Sequence, residues 1–172
     1  TSSSSIKKKI EKIDLVKSAN IHKSLFGNIT ITIEENKVLF YNYLSKELYL
    51  SDQSKITDTN NYLGYPTLVN YVPSDILEKF MKGLSKIDED IITMISEIEY
   101  SPDEYNDIVI DNERFLLRMN DSNVVYINIV NIEKLNKYQT IFAKVGSGGT
   151  LYLDSSSKNY IFEIYRTHVN YS

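Results

Sequence analysis

Residues 29–35, Ile-Thr-Ile-Thr-Ile-Glu-Glu, place Ile29, Ile31 and Ile33 at alternate positions with Thr30, Thr32 and Glu34 between them. Side chains along a strand point to opposite faces with a period of two, so this run has one face to bury and one to wet. That pattern is a half-buried strand and suits an antiparallel sheet covered on one side. The residues before it read differently. In "SIKKKIEKIDLVKSANI" the apolar positions Ile6, Ile10, Ile13, Val16 and Ala19 fall at helical spacing, and the leading serines supply an N-cap. The spacing predicts a helix ending near Lys17 or Ser18. After the strand, "EEN" reads as a tight turn and "KVLFYNY" as the returning arm of a hairpin.

The remainder alternates short strands with three helical stretches. "ELYLS" and "KITD" read as strands split by the turn "SDQS", followed by the loop "NNYLGYP". "PSDILEKFMKGLSKI" opens on Pro73, Ser74 and Asp75 and carries Ile76, Leu77, Phe80, Met81 and Leu84 on one face, which predicts a helix. A short helical piece is expected in "DEDIITMI". Strands follow at "SEIEYS", "DIVIDN", "RFLLRMN" and "VVYINI", with "DNE" read as a hairpin turn between the middle two. A last helix in "VNIEKLNKYQTIFAKV" precedes the strands "GTLYLD" and "NYIFEIY". The order is a small α-β-β unit to about residue 43 and then a larger unit of mixed elements: an α+β chain with antiparallel sheet.

Charge and composition narrow the chemistry. The net charge of −4 argues against general nucleic-acid binding, which is driven by clustered Lys and Arg. It is uneven: residues 1–23 hold six lysines against Glu11 and Asp14, a local +4 that leaves −8 for the rest. A solvated helix face is the simplest reading of those lysines, and a site near an anionic membrane surface the other. With no cysteine, disulfides, thiolate metal sites and Cys nucleophiles are excluded. No run reaches the ~18 apolar residues of a membrane span. The opening "TSSSS" at the edge of a helix leads to the expectation that an anchor or targeting segment lies upstream.

Motifs of catalysis are weak. His22 and His168 are the only histidines and are far apart, short of a zinc or Ser-His-Asp site. "GSGGT" at 146–150 lacks the Lys and the following helix of a phosphate loop and reads as a turn. The acidic stretches 88–90 and 102–107 lack calcium-loop spacing and read as solvated turns. Three Asn-X-Ser/Thr triplets, at Asn28, Asn120 and Asn170, are expected by chance in an Asn-rich chain. What remains is sheet edge, tyrosine and a basic helix, the materials of a binding module.

The ordered set of segments resembles one family. "IKKKIEKIDLVKSANIHKSLFGNITITIEENKVLFY" is similar to the second half of the POTRA domain in the bacterial division proteins of the FtsQ/DivIB family, with Val16, Ala19 and Ile21 in its helix-end motif. Ile29, Ile31, Ile33 and Glu35 (or Glu34) match its strand, and Phe26-Gly27 stands where that family usually has Trp-Pro. "LYLSDQSKI" with Asp52, "YPTLVN", "MISEIEYS" and "KLNKYQTIFAK…GGTLYLD" continue the likeness in order. The resemblance implies residues 1–43 as the end of a POTRA domain and 44–172 as the family's β domain. It implies a single-pass membrane protein at the division septum, with this region outside the cytoplasm, one N-terminal anchor, and no enzymatic activity or cofactor. The partners implied are FtsL and FtsB/DivIC-type division proteins, with a septal peptidoglycan synthase behind them and no nucleic acid. In this family a late strand is an open edge that takes a segment of the partner, which points to Thr150, Leu151, Tyr152, Leu153, Tyr160 and Phe162. The competing expectation is a POTRA-type chaperone or docking module of a secretion or membrane-assembly system.

Overall fold

The computed structural model describes residues 2–13, 15–57 and 64–165. His168, the Asn170 triplet and residues 60–63 of the expected "NNYLGYP" loop lie outside the described residues. In chain order the elements are α1 (Ser3–Ile10), β1 (Val16–Lys23), β2 (Ile29–Glu35), β3 (Val38–Asn42), β4 (Glu47–Leu50), β5 (Lys55–Ile56) and β6 (Thr67–Leu68). Then come α2 (Ser74–Leu84), α3 (Glu89–Ile92), β7 (Ile95–Tyr100), β8 (Asp103–Tyr105), β9 (Ile108–Asp111), β10 (Arg114–Met119) and β11 (Val124–Asn128). A 3-10 segment, Ile129–Lys137, runs into α4 (Tyr138–Val145), and β12 (Gly149–Tyr152) and β13 (Ile161–Ile164) complete the order. Among the described residues no helix is long and apolar enough to cross a membrane.

Nine strands form one mixed sheet in the order β13-β12-β11-β10-β7-β6-β3-β4-β5, beside two separate two-stranded sheets, β1-β2 and β8-β9. The α+β expectation holds, with a correction to its antiparallel character: β3-β6, β6-β7 and β11-β12 pair in parallel. The helix expected at 6–17 is only eight residues long, capped by Ser2, whose Oγ accepts from the Ser5 amide. Val16–Lys23 is instead a strand paired with β2, from Lys23 opposite Ile29 to Val16 opposite Glu35. A half-buried strand needs a partner, and that need overrides a helical spacing whose last positions, Val16 and Ala19, stand among Ser18 and Asn20, weak helix formers.

The hairpin expected between 29–35 and 37–43 is not formed. All five residues of β3 are buried, and the strand lies between β6 and β4 inside the large sheet. A strand covered on both faces reads as a continuous apolar run, and "VLFY" is one. The chain therefore passes from one sheet to the other between Glu35 and Val38. Lys37 bridges that passage, its Nζ donating to the carbonyls of Ser85 and Ile87 just past α2. The small sheet keeps one buried residue, Ala19, while Ile29, Ile31 and Ile33 stay about half exposed.

The "DNE" hairpin is also corrected. Ile108–Asp111 pairs with Asp103–Tyr105, not with Arg114–Met119, and β10 lies between β7 and β11. Asn106 and Asp107 both take positive φ, 49° and 62°, the conformation of a two-residue type I′ turn, so "YND" is the hairpin signal.

Packing fixes the orientation of the sheet. Phe80 and Leu84 of α2, Leu135 of the 3-10 segment and Ile141 of α4 cover one face, meeting Phe115, Leu117, Val125, Ile127 and Leu151. Phe80 stacks on Phe115 with ring centroids 3.9 Å apart. A smaller cluster of Val38, Tyr41, Leu48 and Leu50, with Ile56 and Tyr65 against it, lies at the β3-β4 end.

Candidate protein-binding edge

A sheet of nine strands leaves two edges, and here they differ. At one end β5 is two residues long and carries Lys55, a short and charged edge of the kind that discourages pairing. At the other, β13 is Ile161-Phe162-Glu163-Ile164, followed by Tyr165. Ile161, Ile164 and Tyr165 are 64%, 70% and 51% exposed. Gly149 pairs with Ile164 and Tyr152 with Ile161, and the Tyr165 amide donates to the Gly148 carbonyl at 2.9 Å. In an antiparallel ladder bonded residues alternate. With Tyr165 bonded inward, Glu163 and Ile161 are too, and the amides and carbonyls of Phe162 and Ile164 face the open side.

The residues pointed to by the resemblance fall on both sides of this line. β12 is not the edge: it lies between β11 and β13. Leu151 and Leu153 are buried core, and Tyr160 and Phe162 pack against that core from the edge. Thr150 and Tyr152 sit on the opposite face, which carries none of the helices' core contacts. Thr150 Oγ1 donates to Tyr165 Oη at 3.2 Å, and Tyr152 Oη donates to Glu163 Oε2 at 3.2 Å. The Tyr152 ring stacks on Tyr126 at 5.4 Å. Burial, with the bond to Glu163 added, raises the Tyr152 phenol above its usual pKa. The structure thus brings the six residues together on two adjacent strands and moves the exposed positions to Ile161, Glu163, Ile164 and Tyr165.

Two devices hold the edge in place. A Cβ at Gly149 would lie 2.5 Å from the Glu163 carbonyl oxygen and from the Phe162 ring, so β13 approaches β12 at a distance only glycine permits. Beneath it, buried Asn123 accepts from the Gly149 amide at 3.0 Å and donates to Tyr138 Oη at 3.1 Å and to the Gly146 carbonyl at 2.9 Å. Gly146, at φ 77°, ends α4 by donating back to the Phe142 carbonyl. The "GSGGT" turn is therefore the joint between α4 and the edge. At the far end of β12, Arg114 donates to the Ser101 carbonyl, lies 3.5 Å from Asp103 and 4.0 Å from Asp154, and covers the Tyr126 ring. His22 is an exposed residue on β1, remote in the pairing scheme from this edge.

No family model matches the chain. Curated relatives do. The cell division protein DivIB of Listeria monocytogenes serovar 1/2a is 27% identical over 166 residues, 91% of this chain and 58% of that protein. DivIB of Bacillus subtilis strain 168 is 30% identical over 158 residues, 86% of this chain and 56% of that protein. The solved major extracytoplasmic domain of the trans isomer of DivIB from Geobacillus stearothermophilus is 22% identical with a TM-score of 0.46, covering 65% of this chain and 95% of that one. The chain spans about half the length of the curated relatives it matches. Relatives of one kind from several bacteria each run through more than four-fifths of the sequence. This chain belongs to the FtsQ/DivIB family of bacterial cell-division proteins.

Proposed function

We propose that the chain is a scaffold of the division machinery, not an enzyme, and that it holds its partners by strand addition to β13. The observation that carries this reading is the free outer side of β13, where the backbone groups of Phe162 and Ile164 have no neighbouring strand among the described residues. Strand addition takes affinity from those main-chain groups and specificity from alternate side chains, here Ile161, Glu163 and Tyr165 on one face and Phe162 and Ile164 on the other. The partners are extracytoplasmic segments of FtsL and of FtsB/DivIC-type proteins, and through them the septal peptidoglycan synthase. The expected boundary at residue 43 would cut the large sheet, because β3 is one of its strands, so in this reading residues 1–35 close a POTRA domain and the β domain begins with β3 at Val38. The half-exposed Ile29-Ile31-Ile33 face of the small sheet supports the first assignment, because an isolated two-stranded sheet is marginal in water and needs a covering element. The whole protein is placed in the cell membrane at the septum, anchored by one N-terminal span with this region outside.

Titrating the chain with the extracytoplasmic segments of the same organism's FtsL and FtsB/DivIC proteins tests the reading. Ile164→Pro removes an outward amide while leaving the bonds to β12, so it is expected to weaken binding about a hundredfold or more with the fold retained. Binding by Ile164→Pro at wild-type strength, or none by folded wild type, would refute strand addition at this edge.

A further inference from the structure

Two surfaces outside the edge remain without a task, and their chemistries are complementary. The first is a groove of about 690 Å³ between the α4 arm and the loop that joins β12 to β13. Lys134, Lys137 and Lys144 line one wall at helical spacing and Lys158 the other, while Ile141, Leu153 and Tyr160 supply apolar lining and no carboxylate enters it. Lys134 Nζ is committed to the loop, donating to the carbonyls of Ser155 and Ser157. Lys137, Lys144 and Lys158 are exposed. In a chain of net charge −4, this is a cationic, apolar-floored slot.

The second surface is the β8-β9 hairpin. Tyr105, Ile108 and Ile110 are each 63% exposed or more. Tyr105 pairs with Ile108, so these three share one face, with Val109 and Glu104 on the other. The stretch from Asp103 to Asp111 contains four carboxylates and no basic residue. Asp103 and Asp111 are held at its base by Arg114 and Asn128, which leaves Glu104 and Asp107 free at the exposed end. A monomer rarely leaves so large an apolar group uncovered.

The hairpin and the groove lie at the same end of the sheet. Asn128 Nδ2 donates to both Asp111 Oδ2 and the Asp154 carbonyl, each at 2.8 Å, and Asp154 begins the loop that walls the groove. Surfaces placed side by side on one molecule can be exchanged reciprocally about a two-fold axis, so that each hairpin meets the partner copy's groove and the contact closes on itself.

We propose that the lysine-lined groove is the receptor for the 103–111 hairpin of a second copy of this chain. Tyr105 and Ile108 seat on Ile141, Leu153 and Tyr160 of the other copy, and Glu104 and Asp107 meet Lys137, Lys144 and Lys158. The contact uses none of the outward groups of β13, so it goes beyond the partner reading and leaves that edge available.

Charge reversal tests this on the whole chain by sedimentation velocity across a concentration series. The wild type is expected to form a dimer that weakens as salt is raised, since the pairs lie at an exposed rim. Lys137→Glu/Lys144→Glu/Lys158→Glu and, separately, Glu104→Lys/Asp107→Lys are each expected to weaken it by about tenfold or more. An equimolar mixture of the two variants is expected to restore a dimer, because each reversed surface then meets its opposite. A wild type that stays monomeric, variants that dimerise like the wild type, or a mixture that stays monomeric would each overturn the proposal.

Discussion

Phe115→Ala is expected to lower the unfolding free energy by about 3–5 kcal/mol, the range for truncating a fully buried phenylalanine. Phe115 is fully buried at the centre of the large sheet, between β7 and β11. Its ring stacks on Phe80 at 3.9 Å and meets Tyr100 at 5.5 Å, and Phe80 in turn lies 6.3 Å from Phe40 on β3. Truncation leaves a cavity where α2 meets the sheet, and the neighbouring rings are held by strands on either side, so collapse into the gap is limited. Domains are stable by only about 5–15 kcal/mol, so the variant is expected to lose a large part of its margin. Urea unfolding checks the value. Phe26→Ala is the contrast: that ring is 93% exposed in the β1-β2 turn and its loss is expected to change stability by less than about 0.5 kcal/mol.

The second large effect is polar. Asn123→Ala is expected to cost about 2–4 kcal/mol, because it removes three hydrogen bonds at once and leaves the buried Gly149 amide without a partner, at the cost of that group's desolvation. The partners of Asn123 are the Gly149 amide, the Gly146 carbonyl and Tyr138 Oη, which belong to β12, the end of α4 and the middle of the network. Tyr138 donates onward to Asp121 Oδ2 at 2.7 Å. Burial first, and the bond to Asp121 second, push its phenol far above the usual range, so it stays a donor through the neutral range. The Tyr138 hydroxyl therefore keeps its proton there, and the loss in Asn123→Ala is expected to be about the same at pH 6 and pH 8. Unfolding midpoints at the two pH values measure it.

These two positions mark what could and could not be read in the chain. The α2 helix was legible because Ile76, Phe80 and Leu84 repeat at helical spacing behind a Pro-Ser-Asp start. The β-rich character was legible because Ile29 to Ile33 alternate. Pairing was not. "ITITIEENKVLFYN" reads locally as a hairpin, yet β2 pairs backwards with β1 and β3 enters the large sheet. Register and partner choice follow from which faces are covered, and the covering residues are distant in sequence. Nothing local in the sequence distinguishes Asn123, and only the close approach of β11, α4 and β12 makes it a buried hub. At the site, the family likeness pointed to Thr150–Leu153 as the open edge, whereas the structure puts β13 outside β12.

The central claim is that β13 receives a partner strand. Backbone amide exchange of the whole chain, alone and saturated with the extracytoplasmic segments of FtsL and FtsB/DivIC from the same organism, reads it at single residues. Strand addition predicts that the Phe162 and Ile164 amides, facing outward in the free chain, become strongly protected while those of Glu163 and Tyr165, already bonded to β12, change little. Unchanged exchange at Phe162 and Ile164 in a saturated complex would contradict it.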